Sequence, residues 1–171
     1  MVYRVCKSFE VESGHMLSKH PGLCRFPHGH TRRVEVVLAS DALDAQDMVC
    51  DFKAVKLAVG AFIDQLDHAM AMNSADPMVG AMCVPGRVPT RDGEPGAAGA
   101  AGAAQRLVLF ENQDPTTEVL ARWVFDHLAG EVRAGREYRD QRGQVFRFPP
   151  GLRVERVRVS ETSSTWAEYG L

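Results

Sequence analysis

The run Cys24-Arg25-Phe26-Pro27-His28-Gly29-His30-Thr31-Arg32-Arg33-Val34-Glu35-Val36-Val37-Leu38 decides how this chain is read. From Thr31 to Leu38, the side chains of Val34, Val36 and Leu38 fall on one face at strand spacing. His28 and His30 are two residues apart, so in extended backbone their imidazoles share a face. Gly29 between them lets the backbone sit tight against whatever the two rings hold. Upstream, Tyr3 to Ser13 alternates at Val5, Lys7, Phe9 and Val11, a second half-buried strand, and leads into His15. Antiparallel pairing of the two strands would bring His15, His28 and His30 together. Three neutral imidazoles with an open fourth position are what a catalytic zinc site needs. A lone His-x-His is more often a surface or hydrogen-bonded pair. Cys24, four residues before His28, fits two roles: a thiol acting on whatever occupies the open position, or a fourth, structural ligand. His20 in the same loop reads as a solvated residue rather than a substitute ligand.

Composition narrows the classes. The chain has 171 residues, 45% hydrophobic and 25% charged, with a formal net charge of −2. That fits a single domain spanning 1–171, long enough to bury a core. The near-neutral balance argues against a general nucleic-acid or membrane-surface binder. No apolar run reaches the length of a membrane span, and no basic-then-apolar export signal opens the sequence, so a cytoplasmic setting is expected. Cys6, Cys24, Cys50 and Cys83 show no Cys-x-x-Cys spacing, which leaves Cys24 available as a thiol in a reducing compartment. The other three read as small buried hydrophobes.

Further along, Asp51 stands as an N-cap before Val55, Val59, Phe62, Ile63 and Leu66, the core stripe of a helix. This helix runs into Leu66-Asp67-His68. Consecutive helical residues do not face each other, so an Asp67–His68 bond requires the helix to have ended. Residues 76–105 carry four prolines and the Gly/Ala tract Gly96 to Ala104, a flexible surface insertion. Arg106 to Phe110 reads as a short returning strand. Asp114-Pro115-Thr116-Thr117-Glu118 starts a second helix, with Asp114 as cap, Pro115 at the first position and an acid in the first turn. Leu120, Trp123, Val124 and Leu128 form its apolar face. An extra hairpin is expected at 138–148, a third main strand from Leu152 to Glu161 and a fourth from Trp166 to Tyr169. The expectation is an α+β domain: a four-stranded antiparallel sheet with two helices on one face, in the order strand-strand-helix-helix-strand-strand. Its open edges favour assembly by edge pairing.

Six motifs occur in order: His15; Cys24-x-x-x-His28-Gly29-His30; Val49-Cys50-Asp51-Phe52; Leu66-Asp67-His68; Pro115-Thr116-Thr117-Glu118; and Glu161-Thr162. Together they resemble the 6-pyruvoyltetrahydropterin synthase / 6-carboxytetrahydropterin synthase family over nearly the whole chain. The resemblance implies the tunnelling fold, in which trimers close their sheets into a barrel, two trimers stack into a hexamer, and active sites form between subunits of the homo-oligomer. It implies Zn2+ on His15, His28 and His30, Cys24 as general base, and Asp67 and His68 completing the acid/base set, supplied by the same or a neighbouring subunit. Glu161 would hold the guanidine-like edge of a pterin, a two-donor face suited to a carboxylate. Thr116 and Thr117 would bond its remaining polar atoms, and Glu118 would contact the substrate or order the interface.

The implied substrate is 7,8-dihydroneopterin triphosphate. The carboxy branch yields 6-carboxytetrahydropterin, a precursor of 7-deazaguanine and queuosine, with release of acetaldehyde and triphosphate. The Cys-x-x-x-His-Gly-His spacing looks like that branch; the pyruvoyl branch keeps a diketo side chain. Asp114 departs from the family's usual Asn before Pro-Thr, and Ser13-Gly14-His15-Met16-Leu17 from its Ala-Ala-His-Arg-Leu. A zinc hydrolase using the same ligands, or a non-catalytic pterin- or purine-binding relative, are the alternatives.

Overall fold

The computed structural model describes residues 1–82 and 106–171. The chain runs through strands β1 (Tyr3–His15) and β2 (His28–Ser40), helix α1 (Phe52–Ile63), β3 (Ala69–Asn73), α2 (Met78–Met82), β4 (Leu107–Phe110) and α3 (Thr117–Ala134). It continues through β5 (Glu137–Arg139), β6 (Val145–Arg147), β7 (Arg153–Ser160) and β8 (Trp166–Gly170). The main sheet has six strands in the order β4-β3-β1-β2-β7-β8, and β5 and β6 form a separate two-stranded hairpin.

The four antiparallel strands expected from the sequence are its centre and one flank: β1 with β2, β2 with β7, β7 with β8. The expected count is corrected by β3 and β4, which add in parallel beyond β1 and make the sheet mixed. Ala69-Met70-Ala71-Met72 is a short apolar run that periodicity cannot tell from a helix end. Parallel strands covered on both faces lack alternation, and β3 is buried along nearly its whole length. The expected insertion at 76–105 begins with the short helix α2; residues 83–105, including Cys83 and the Gly/Ala tract, lie outside the described residues.

Helices α1 and α3 cover one face of the sheet. Asp51 caps α1, its carboxylate accepting from the Lys53 N–H at 2.7 Å, and Val55, Val59 and Ile63 are buried beneath it. Leu120, Val124 and Leu128 of α3 meet Val34, Val36, Leu38, Val157 and Val159 from the sheet in one core. At roughly 1.5–3 kcal/mol for each fully buried aliphatic side chain, this layer holds the frame that carries the histidines. Phe62 stacks on His127, with ring centroids 3.7 Å apart. The opposite sheet face is polar, with ion pairs Arg33–Glu35 at 3.1 Å and Arg158–Glu168 at 2.9 Å. Cys6, expected to be buried, lies exposed, whereas Cys50 is buried as expected. No helix among the described residues is long and apolar enough to cross a membrane.

Candidate metal centre

The β1–β2 register pairs Tyr3 with Ser40 and runs without interruption to His15 opposite His28. Two-residue periodicity then puts His30 on the same face as His28, opposite Ser13. The ring centroids lie 4.4 Å (His15–His28), 5.2 Å (His15–His30) and 5.0 Å (His28–His30) apart. The carboxylate of Glu161 joins them: one nitrogen from each histidine and a Glu161 oxygen all lie within 4.8 Å of one another. Glu161 follows the last residue of β7, and the pairing of Val34 with Val159 directs the next inward position toward Arg32. Its Oε1 is 3.3 Å from both His15 Nε2 and His30 Nε2.

The donor set suits a divalent metal. His15 Nδ1 lies 2.9 Å from the Pro115 carbonyl and His28 Nδ1 lies 2.8 Å from the Phe26 carbonyl. In each neutral ring Nδ1–H donates to that carbonyl, which leaves Nε2 as a lone pair. His30 Nε2 is buried with no hydrogen-bond partner, a cost native proteins seldom carry without a ligand. Burial pushes His15 down to about 4; Arg32 and His28 add to the fall, while the Pro115 carbonyl and Glu161 oppose it. Burial also lowers His30, and Arg32 assists. Both rings are therefore unprotonated and ready to coordinate at neutral pH. Gly29 packs across the hairpin, where a Cβ would meet the Ser13 carbonyl at 3.4 Å.

The connecting loop is tied down on its own side. Cys24 sits half-buried in a single 3-10 turn, Leu23–Arg25, and its carbonyl accepts from the Leu17 N–H at 2.9 Å. Asp114, expected to cap α3, instead accepts from Ser18 Oγ (2.6 Å), the Lys19 N–H (2.7 Å) and Asn73 Nδ2 (2.9 Å). Burial alone would raise its pKa, but these donors and the Lys19 charge leave it below the ordinary value. The α3 cap is Thr116, whose hydroxyl accepts from the Val119 N–H. Pro115 therefore precedes the cap rather than opening the helix. Thr117 is buried beside the cluster, and Glu118 is exposed in the first turn. His20 is exposed and accepts the Gly22 N–H at 2.9 Å.

Asp67 and His68 lie elsewhere on the chain. Helix α1 ends at Ile63, and His68 adopts a left-handed backbone (φ 52°). Its Nδ1 then reaches Asp67 Oδ2 at 2.8 Å. The Glu12 N–H, followed by the His68 ring, holds the Asp67 carboxyl below its usual range. In the β1–β3 register Ala69 faces Ser13 and Ala71 faces His15, so His68 lies about 10 Å along the strand from the imidazole cluster. Its side chain is 72% exposed.

Arg32 was not anticipated, although its inward position, in step with His30 and Val34, could have marked it. It is fully buried, with Nε donating to Ser13 Oγ and Nη1 to Thr117 Oγ1, each at 3.1 Å.

Comparison with known proteins bears on this geometry. The profile of a family described as 6-pyruvoyl tetrahydropterin synthase matches residues 4–170. A 6-carboxy-5,6,7,8-tetrahydropterin synthase from Aquifex aeolicus is 28% identical over 99% of this chain and 98% of its own length. One from Rickettsia conorii is 31% identical over 43% of this chain and 54% of its own length. Among solved structures, an uncharacterized protein from Wolinella succinogenes superposes with a TM-score of 0.73 at 22% identity, covering 99% of this chain and 98% of that one. The 6-pyruvoyl tetrahydropterin synthase of Plasmodium vivax gives 0.60 at 17% identity, covering 100% and 99%; at such identities the likeness is one of fold.

Proposed function

The chain belongs to the 6-pyruvoyl tetrahydropterin synthase family, and from that premise we propose that it is a zinc-dependent tetrahydropterin synthase. The proposed substrate is 7,8-dihydroneopterin triphosphate and the proposed products are 6-carboxytetrahydropterin, acetaldehyde and triphosphate. The observation that carries the reading is the converging trio His15, His28 and His30, with His30 Nε2 buried and making no hydrogen bond although Glu161 Oε1 lies 3.3 Å away. Curated relatives named for the carboxy product, one of them matched end to end, support that branch.

His15, His28 and His30 would hold the ion. When bound, zinc supplies Lewis-acid stabilisation of the negative charge that develops on the substrate's side-chain oxygens. Cys24, in the loop between His15 and His28, removes the proton from the neighbouring carbon as general base. Asp67 orients His68 through the Nδ1 bond, so His68 can return or relay a proton through Nε2. Glu161 accepts the two-donor edge of the pterin, while Thr116, Thr117 and Glu118 border that position at the start of α3. Because His68 is exposed and about 10 Å along the strand from the histidine trio, the dyad serves a site on a neighbouring copy, consistent with a trimeric or hexameric assembly.

The test is to incubate zinc-loaded protein with dihydroneopterin triphosphate and assay acetaldehyde. Release supports the carboxy branch, turnover without it identifies the pyruvoyl branch, and no turnover refutes both. Cys24→Ala separates these from a zinc hydrolase: near-complete loss with zinc retained is expected here, whereas a metal-hydroxide enzyme would keep its rate.

A further inference from the structure

Arg32 is the only lysine or arginine with no exposed surface among the described residues. Burying a guanidinium is costly unless its donors are used and a counter-charge is near. Its Nε and Nη1 are used by Ser13 and Thr117. Nη2 is 3.2 Å from both ring nitrogens of His15. A point equidistant from the two nitrogens lies in line with neither lone pair, so this contact packs the cation against the ring. Glu161 Oε1 lies 3.7 Å from Nη2, an ion-pair separation and not a hydrogen bond.

These contacts fix the polarity of two groups. A hydroxyl has one donor and two acceptor positions; by accepting from Arg32, Thr117 keeps its own proton free to donate. Glu161 is drawn toward a permanent cation and is set as an acceptor. We propose that Arg32 is a specificity-determining positioning residue, holding Glu161 as acceptor and Thr117 as donor so that the site prefers a 2-amino-4-oxo heterocycle to its 4-amino counterpart. This rests on the pterin reading above. The pair matches a ring whose one edge donates twice and whose adjacent oxygen accepts. An amino group at that second position would set donor against donor at Thr117, and the neighbouring ring nitrogen, then without a proton, would take one of the two donors from Glu161. Without Arg32, the Thr117 hydroxyl can turn either way and its share of the distinction is lost, while the share carried by the Glu161 edge remains.

Equilibrium binding of pterin and of 2,4-diaminopteridine, followed by ligand fluorescence on the zinc-loaded protein, tests this, with bound zinc measured in parallel. The wild-type protein should favour pterin by about tenfold or more, the effect of mismatched hydrogen bonds at the 4-substituent and at the ring nitrogen beside it. Arg32→Leu should retain zinc but narrow the preference by about fivefold or more, and Arg32→Lys should recover part of the lost factor. Thr117→Val should narrow the preference by a similar factor with the buried charge intact, which keeps the test decisive should Arg32→Leu not fold. Unchanged preference in folded Arg32→Leu or in Thr117→Val overturns the proposal, as does loss of zinc from folded Arg32→Leu, which would make Arg32 only a support for His15. If the wild-type protein binds pterin without preference, this inference alone falls; if it binds neither ligand, the pterin reading falls with it.

Discussion

His15 shows how much a backbone carbonyl and a dry environment decide about one side chain. With its pKa pushed down to about 4 from 6.5, the native state of metal-free protein resists a proton that the unfolded chain accepts. Between these values the unfolded state binds more protons, so stability rises with pH; it is complete above about 6.5 and is lost as pH falls toward 4. The shift corresponds to about 3 kcal/mol, and His30 adds in the same direction. Urea titrations of metal-free protein at pH 7.5 and 4.5 should differ by that order, and His15→Gln should flatten the dependence. The histidines themselves were legible because strand spacing alone aligns them. Glu161's place among them was not, since it depends on a register between strands more than a hundred residues apart in sequence. Arg32 was overlooked because a charged residue on an inward face reads as noise until its partners are seen.

At the scale of the element, the start of α3 divides two tasks that the sequence reading gave to one residue. Thr116 caps the helix and Asp114 fastens the Ser18–Lys19 loop to Asn73 at the end of β3. Thr116→Ala should cost about 1 kcal/mol in chemical denaturation. Asp114→Ala strands three donors around a buried position and should cost about 2–3 kcal/mol. It should also lower turnover, because the loop it fastens carries Cys24; equal costs for the two variants, with turnover unaffected, would refute this division. Local pattern could not separate them, since Asp and Thr both cap well and only tertiary contacts choose. The same limit hid β3, whose strand identity comes from docking beside β1 and not from alternation in its own residues; β4 was read as a strand at Arg106 to Phe110, but its parallel place beside β3 was not.

For the whole molecule, the proposed catalytic groups lie apart within one chain, the imidazole trio with Glu161 at one place and Asp67–His68 exposed at another. If sites are completed across subunits, Cys24→Ala and His68→Ala are each inactive alone. Mixing and reassembling them should restore a fraction of wild-type turnover, up to about one quarter for random pairwise sharing. No recovery in a verified mixed oligomer would place the whole set within one chain. The α+β class, the antiparallel centre and the sheet's one-sided helices were readable from periodicity. Assembly was legible only through resemblance and open edges, because no local pattern records which strand of another copy an edge will meet.

All three imidazoles belong to one hairpin, β1 and β2, joined by the loop that holds Cys24. An ion gripping them needs neither the helices nor the parallel strands to be in place. Metal can thus close the longest strand pairing early and act on the folding nucleus, not merely on the finished structure. Stopped-flow refolding should therefore quicken when zinc is present from the start, with a smaller change in the unfolding limb than in the folding one.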